Sequence, residues 1–205
     1  MTAWLREPKN RVILNGRPAY QGRKQMMVLD HCPLDRRRTM IDAGAHCGLW
    51  AYNFAKYFNW IEAFEPVAAH RECFGKNIPD EMHHRIAMHP YALGENGGRV
   101  AIKSNPSSSG DSWVNGPGDI EMRTIDSFEL TEVDLIKVDA EGFEEKILRG
   151  AEQTLRQWKP VVCVEQKRSM AEKFGLKPQG ALVYLKSLGY RSVAEMSGDY
   201  VLRAD

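Results

Sequence analysis

The stretch that most constrains this chain runs from Thr39 to Trp50 and reads T-M-I-D-A-G-A-H-C-G-L-W. Thr39 to Ile41 are β-prone and apolar enough to end a buried strand, which Asp42 closes. Gly44 and Gly48 fall where the chain must turn sharply. Leu49 to Tyr57, aromatic-rich and without a breaker, then reads as a helix. A strand, a glycine-containing turn and a helix start predict a place where backbone N–H groups face a nucleotide-like ligand.

The spacing narrows that ligand. A dinucleotide fingerprint, G-x-G-x-x-G, needs its second glycine so that a pyrophosphate can approach the backbone. Here the glycines are spaced Gly44-x-x-x-Gly48 with His46 between them, and Asp42 sets a negative charge where phosphates would lie. A carboxylate there suits a ligand with an ammonium group, such as the methionine end of S-adenosylmethionine. A helix-capping Asp at an ordinary corner is the plain alternative. Trp60 to Phe64 reads as a second strand, followed at once by Glu65-Pro66. Glu65 comes about 20 residues after Gly44, the separation at which one βαβ unit delivers an acid to a ribose diol. A carboxylate can accept both ribose hydroxyls, and Pro66 ends the strand. Such an acid also serves a nicotinamide dinucleotide, so it points to adenosine without choosing between the two.

The chain has 205 residues, which fits one α/β domain over 1–205 with a substantial core. Its formal charge of +1 gives no sign of a polyanion-binding surface. The one basic cluster, Arg36-Arg37-Arg38, reads first as a solvated turn and second as a phosphate contact. Four scattered cysteines (Cys32, Cys47, Cys73, Cys163) form no C-x-x-C pair or zinc spacing, so reduced thiols and a cytoplasmic location are expected. Met1 to Lys9 lacks the apolar run of a signal peptide, and no stretch approaches the ~20 apolar residues of a membrane helix.

Taken in order, residues 1–38 read as a cap over the site: irregular to Asn10, a strand at Arg11 to Leu14 entering a turn at Asn15-Gly16, and a short helix within Gln21 to Cys32. A helix is expected over Ala68 to Lys76 and a third strand over Arg85 to Met88. The histidines of this part (His70, His83, His84, His89) show no metal spacing. Arg99 to Lys103 alternates as an exposed strand. Ser104 to Gly118, S-N-P-S-S-S-G-D-S-W-V-N-G-P-G, has the least structured composition in the chain. It reads either as a mobile substrate loop carrying Trp113 or as a plain insertion.

Val133 to Glu145, V-D-L-I-K-V-D-A-E-G-F-E-E, contains a central strand with Lys137 in its middle. Alternation puts Leu135, Lys137 and Asp139 on one side. A buried ammonium needs an anionic partner, and Asp139 is the nearest in sequence. That pair is either structural or part of a site, because ligands in open α/β sheets bind where strands end. A helix is expected from Phe143 to Leu155. Pro160 to Glu165 repeats the apolar-strand-then-acid pattern, so strands finish in Asp42, Glu65, Asp139 and Glu165. A helix over Pro178 to Leu188 and an antiparallel hairpin, Tyr190 to Glu195 with Asp199 to Arg203, complete the chain.

In these motifs the sequence resembles the FkbM family of S-adenosylmethionine-dependent methyltransferases. The matching blocks are I-D-A-G-A-H-C-G (Ile41 to Gly48), F-E-P (Phe64 to Pro66), A-L-G (Ala92 to Gly94) and R-T-I-D-S-F (Arg123 to Phe128). They continue with D-L-I-K-V-D-A-E-G-F-E (Asp134 to Glu144), L-R-G-A (Leu148 to Ala151) and K-P-V-V-C-V-E (Lys159 to Glu165). The resemblance implies a Rossmann-like class I fold of sheet order 3-2-1-4-5-7-6, last strand antiparallel, with helices on both faces. It implies methyl transfer, typically to a hydroxyl oxygen. Asp42, Gly44 and Gly48 would hold the methionine end of the cofactor, with Ala45 and His46 in the same loop. Glu65 would bind the ribose beside Pro66, and Ala92 and Leu93 would flank the adenine. His46-Cys47 stands where the family commonly has an aliphatic residue, which leaves open whether His46 touches substrate.

Methyl transfer to an alcohol needs an in-line acceptor oxygen and a group to take its proton. Lys137, Asp139, Glu141 and Glu165 are expected around that oxygen, one carboxylate as base and Lys137 stabilising developing negative charge. No resident metal is expected, a divalent ion on Asp139 and Glu165 being the rival. The expected acceptor is a hydroxyl on a sugar, glycan or other small molecule. Amino-group methylation of bases would call for an N/D-P-P-Y/F block, where this chain has Asp139-Ala140-Glu141-Gly142. Ribose 2′-O-methylation of RNA, a nicotinamide-dependent oxidoreductase and a silent adenosyl-binding module are the other readings.

Overall fold

The structure, a computed structural model, describes residues 5–6, 12–13, 21–105, 108–167 and 170–204. Along the chain come β1 (Leu5–Arg6), β2 (Val12–Ile13), α1 (Gly22–Asp30), β3 (Thr39–Ala43), α2 (Leu49–Phe54), β4 (Trp60–Phe64), α3 (Ala68–Asn77) and β5 (Ile86–His89). Then follow β6 (Ala92–Leu93), β7 (Gly98–Val100), β8 (Ile102–Asn105), β9 (Ser108–Val114), β10 (Ile120–Arg123) and β11 (Val133–Val138). The last part holds α4 (Glu144–Arg149), α5 (Glu152–Trp158), β12 (Val161–Glu165), α6 (Gly180–Ser187), β13 (Tyr190–Met196) and β14 (Asp199–Ala204).

Seven of these strands form one sheet in the order β5-β4-β3-β11-β12-β14-β13. Numbered within that sheet alone, the order is 3-2-1-4-5-7-6, as the resemblance implied. Only β14 runs against its neighbours, antiparallel to both β12 and β13. The central strands are apolar along their whole length because both faces are covered. Ile41, Ile136, Val138, Val162 and Leu202 point to one face, under α4, α5 and α6. Met40, Ile61, Leu135, Cys163 and Val201 point to the other, under α1, α2 and α3. This second face matters for function. It carries Asp42 and Lys137, which stand opposite each other in the β3–β11 register. The same alternation brings Asp139, just past the end of β11, and Glu165, the last residue of β12, to it.

Several sequence expectations are corrected. The strand expected over Arg11 to Leu14 is present at Val12–Ile13, but its described partner is the preceding Leu5–Arg6. The turn expected at Asn15-Gly16 lies outside the described residues. The single helix expected over Phe143 to Leu155 is broken at Gly150-Ala151. A Cβ on Gly150 would sit 2.0 Å from the Gly94 carbonyl oxygen, so the chain must pass close there. Asp126 then caps α5 from a distance, accepting from the N–H groups of Gln153 and Thr154, both at 2.9 Å. The strand expected over Arg99 to Lys103 divides at Ala101 into β7 and β8, which belong to different sheets. Most of the Ser104–Gly118 stretch is not irregular. Ser108–Val114 pairs antiparallel with Ile102–Asn105, setting Trp113 against Lys103 and Val114 against Ile102. Cross-strand side-chain pairing of this kind outweighs a Ser-rich composition.

Among the described residues no helix is long and apolar enough to cross a membrane. The basic cluster is a latch. Asp134, with its side chain fully buried, accepts from Arg36 Nε at 3.1 Å and from Arg38 Nε and Nη2 at 2.8 and 2.7 Å. Arg37 donates to the carbonyls of Leu29 and Cys32. These contacts lie at the start of β11, at the opposite end of the sheet from the strand-end acids.

Candidate functional site

A cavity of about 310 Å³ opens at the carboxyl ends of β3, β4, β11 and β12, at the low end of the size range of small-molecule sites. It sits where the strand order reverses, the place at which open α/β sheets bind ligands.

The Gly44–Gly48 turn forms one wall. Gly44 and Gly48 both have positive φ (81° and 89°), and His46 does too (49°). Gly44 is needed for space as well, since a Cβ there would lie 2.0 Å from the Asp139 carbonyl oxygen. Outward-facing N–H groups are expected here from the sequence, but four of the turn bond within the protein. Those of Gly44 and Ala45 donate to the Phe64 carbonyl at 3.1 and 3.0 Å, and that of Gly48 to Ala45. The N–H of His46 donates to Glu65 Oε2 at 2.8 Å. These four peptide donors are therefore taken within the protein, by the terminal carbonyl of β4, by its following acid and by Ala45. Gly44, Ala45 and His46 line the cavity, while Gly48 packs against the Phe74 ring.

Beneath the turn lies a buried ion pair. Lys137 is paired with Asp42, Nζ to Oδ1 at 3.1 Å, and donates to the Gly44 carbonyl at 2.7 Å. Asp42 is fully buried and does not line the cavity. The partner of Lys137 is therefore Asp42 across the strands, not Asp139 along its own. Residues i and i+2 of one strand are nearly 7 Å apart, whereas paired strands lie about 4.8 Å apart. Burial works against the Lys137 ammonium, but Asp42 and Asp139 together hold its pKa above the ordinary lysine range. Burial pushes the Asp42 pKa up, against the pull of Lys137.

Glu65 is buried at the end of β4 and faces His70, which sits in the first turn of α3. Burial opposes ionisation of Glu65, yet hydrogen bonds from His70 and the Val67 N–H keep its pKa below the usual range. His46 packs edge-on against His70, ring centroids 4.5 Å apart. Burial, then the neighbouring His70, lowers the His46 pKa to about 4, so its ring is neutral at ordinary pH. Pro66, Ala92 and Leu93 line the same end of the cavity, with Tyr91 beside them. The Arg123 guanidinium lies 4.1 Å from the Tyr91 ring centroid.

At the other end, Asp139, Glu141 and Glu165 bring carboxylate oxygens within 4.8 Å of one another, a grouping that could ligate a cation. A lysine already answers them: Lys167 Nζ stands 2.8 Å from Glu141 and 2.9 Å from Glu165. Asp139 and Glu165 also share a hydrogen bond and divide the titration unequally. Burial, then the negative charge of Asp139, pushes Glu165 up to about 8. Lys137 and the Glu165 hydrogen bond draw the Asp139 pKa down despite burial. Near neutral pH the pair thus holds one proton between its two carboxylates, with Glu165 the more readily protonated. Burial raises the Glu141 pKa, and Glu141 lies in the left-handed region with φ 51°. Glu144 accepts from the N–H groups of Ala140 and Gly142, fixing the loop that carries Glu141.

The sequence reading missed Lys167, His70 and Asp111. Lys167 follows Glu165 by two residues and His70 follows Glu65 by five, spacings that carry no signal without the fold. Asp111 comes from β9, which with Ile102, Trp113 and Val114 closes the cavity from above.

A seven-stranded 3-2-1-4-5-7-6 sheet with its cavity at the carboxyl edge defines the class I methyltransferase fold. The profile described as "Methyltransferase FkbM domain" matches residues 42–192, and the chain belongs to that family. Among solved structures it is similar to the FkbM methyltransferase of Methylobacillus flagellatus KT, at 23% identity and TM-score 0.55. That match covers 80% of this chain and 42% of the other, so the chain spans less than half the length of that protein. It is also similar in fold to a precorrin-6Y C5,15-methyltransferase of Geobacter metallireducens GS-15 (12% identity, TM-score 0.52, covering 87% and 86% of the two chains). A third is an rRNA methylase of Streptococcus thermophilus (9% identity, TM-score 0.54, covering 88% and 92%). No curated protein matches the chain.

Proposed function

We propose that this chain transfers a methyl group from S-adenosylmethionine to a hydroxyl oxygen of a sugar, glycan or other small-molecule acceptor. The observation that carries the reading is one continuous cavity with an ionised Glu65 at one end and the Asp139–Glu141–Glu165 cluster at the other. The residues present suit that cofactor: a buried carboxylate for a sugar hydroxyl, apolar walls at Ala92 and Leu93, and a smooth glycine wall at Gly44. Asp42 would act through Lys137, which it holds against the Gly44 carbonyl, rather than touch the cofactor.

When bound, the cofactor supplies a methyl group on a sulfonium, already joined to a good leaving group. The protein must then align the acceptor oxygen and remove its proton. Asp139 is the base in this reading, because Glu165 is the more readily protonated of the Asp139–Glu165 pair. Glu165 donates its proton to Asp139 in a hydrogen bond and orients it. Lys137 stays an ammonium, so it cannot take a proton, and its field favours charge developing on the acceptor oxygen. Lys167 supplies the positive charge that a divalent ion would otherwise bring to Glu141 and Glu165. Turnover is accordingly expected to persist in EDTA. A near-neutral chain with five acids on this cavity (Glu65, Asp111, Asp139, Glu141 and Glu165) supports a small acceptor over RNA.

Calorimetric titration with S-adenosylhomocysteine tests the reading. The wild type should bind, and Glu65→Ala should lose binding. Asp139→Asn should bind and lose turnover by roughly 10²–10⁴-fold against a panel of hydroxylated acceptors. A wild type that does not bind would sink the proposal, and an Asp139→Asn variant with full turnover would remove the base assignment.

A further inference from the structure

The two oxygens of Glu65 are not equivalent. Oε1 accepts from the Val67 N–H at 2.9 Å and from His70 Nδ1 at 3.1 Å. Because an ionised carboxylate can only accept, Nδ1 carries the proton. Among the described residues, Oε2 accepts from the His46 N–H alone, at 2.8 Å. Each carboxylate oxygen offers about two acceptor positions. Oε1 is therefore filled, and one position on Oε2 remains.

The backbone that carries Glu65 is held without His70. Arg71 Nη1 donates to the carbonyls of Glu65 and Pro66, at 2.9 and 2.7 Å. What His70 contributes is the orientation of the carboxylate plane. It is itself 3% exposed and wedged edge-on against His46, so it has little freedom to swing away.

We infer that His70 is a positioning residue that makes Glu65 a one-hydroxyl acceptor, turning Oε2 to a single hydroxyl of the cofactor ribose. This rests on the proposed S-adenosylmethionine site and departs from the usual expectation that such an acid takes both hydroxyls of the diol. The neighbouring hydroxyl finds no second oxygen on Glu65, so the two hydroxyls contribute unequally to affinity.

The test is calorimetry with S-adenosylhomocysteine and its 2′-deoxy and 3′-deoxy analogues on the full chain. For the wild type, removing one hydroxyl should weaken binding about tenfold or more, and removing the other by less than about threefold. His70→Leu should bring the two losses together, while His70→Asn, which can place an N–H near the Nδ1 position, should restore the difference. A role confined to packing would weaken all three ligands alike and leave their ratio unchanged, which would overturn the inference. Equal losses for the two analogues in the wild type would overturn it without any variant, even if His70→Leu failed to fold. If the wild type binds none of the three, the cofactor reading itself fails and this inference with it. Binding of the parent compound with no difference between the analogues refutes the role of His70 alone.

Discussion

Two glycines show how differently one substitution acts at two places. Gly44 and Gly175 both have positive φ, 81° and 68°. A Cβ on Gly175 would meet nothing within 4 Å, whereas on Gly44 it would overlap the Asp139 carbonyl. Gly175→Ala should cost only the left-handed backbone strain, about 1 kcal/mol. Gly44→Ala adds steric overlap to that strain and should cost on the order of 3 kcal/mol, with loss of cofactor binding. Urea unfolding of the two variants compares them directly, and similar midpoints would show that the turn yields. Glu165 supports a second prediction. Its pKa is raised from 4.5 to about 8, so the folded chain binds a proton there that the unfolded chain has released. Its contribution to stability is therefore greatest below about pH 4.5 and is lost as pH rises toward about 8. The melting temperature should fall less between pH 6 and pH 9 in Glu165→Gln than in the wild type. An identical fall in both would mean that Glu165 is ionised throughout.

At the level of elements, the start of β11 is fixed by Asp134, which gathers Arg36 and Arg38. Asp134→Ala leaves two arginines that can turn to water, being about a third exposed. The expected loss is roughly 1–3 kcal/mol in unfolding free energy. Because this latch and the cavity are at opposite ends of the sheet, affinity for S-adenosylhomocysteine should be unchanged, and a large change would show coupling along β11. The latch also shows what a sequence can and cannot reveal. That Arg36-Arg37-Arg38 precedes a strand is plain from local pattern, but which acid it meets depends on the register of β3 with β11. The same gap explains Lys137. Alternation correctly put it on one face with Asp139, yet the pairing that decides its partner joins residues nearly a hundred positions apart. Strand ends marked by Asp139, Glu65 and Glu165 were legible because each follows an apolar run of strand length. His70 and Lys167 were not, since a helix turn and a post-strand loop must first be folded against those acids.

Over the whole molecule, a single sheet separates two apolar layers, and neither layer is complete without it. Trp50 lies in one layer, and Trp158 packs against the other. Unfolding should therefore be cooperative, with tryptophan fluorescence and far-ultraviolet circular dichroism giving the same midpoint. Two separated midpoints would divide the chain into independent halves. The β8–β9 ribbon stands outside this shared architecture, as do the β1–β2 pair and the small β6-β10-β7 sheet. It pairs within itself and contributes no strand to the main sheet, although it roofs the cavity with Ile102, Asp111, Trp113 and Val114. No pairing of the main sheet runs through that hairpin. For a protein engineer, the ribbon is the stretch of cavity wall that can be redrawn while the pairing of the main sheet is kept.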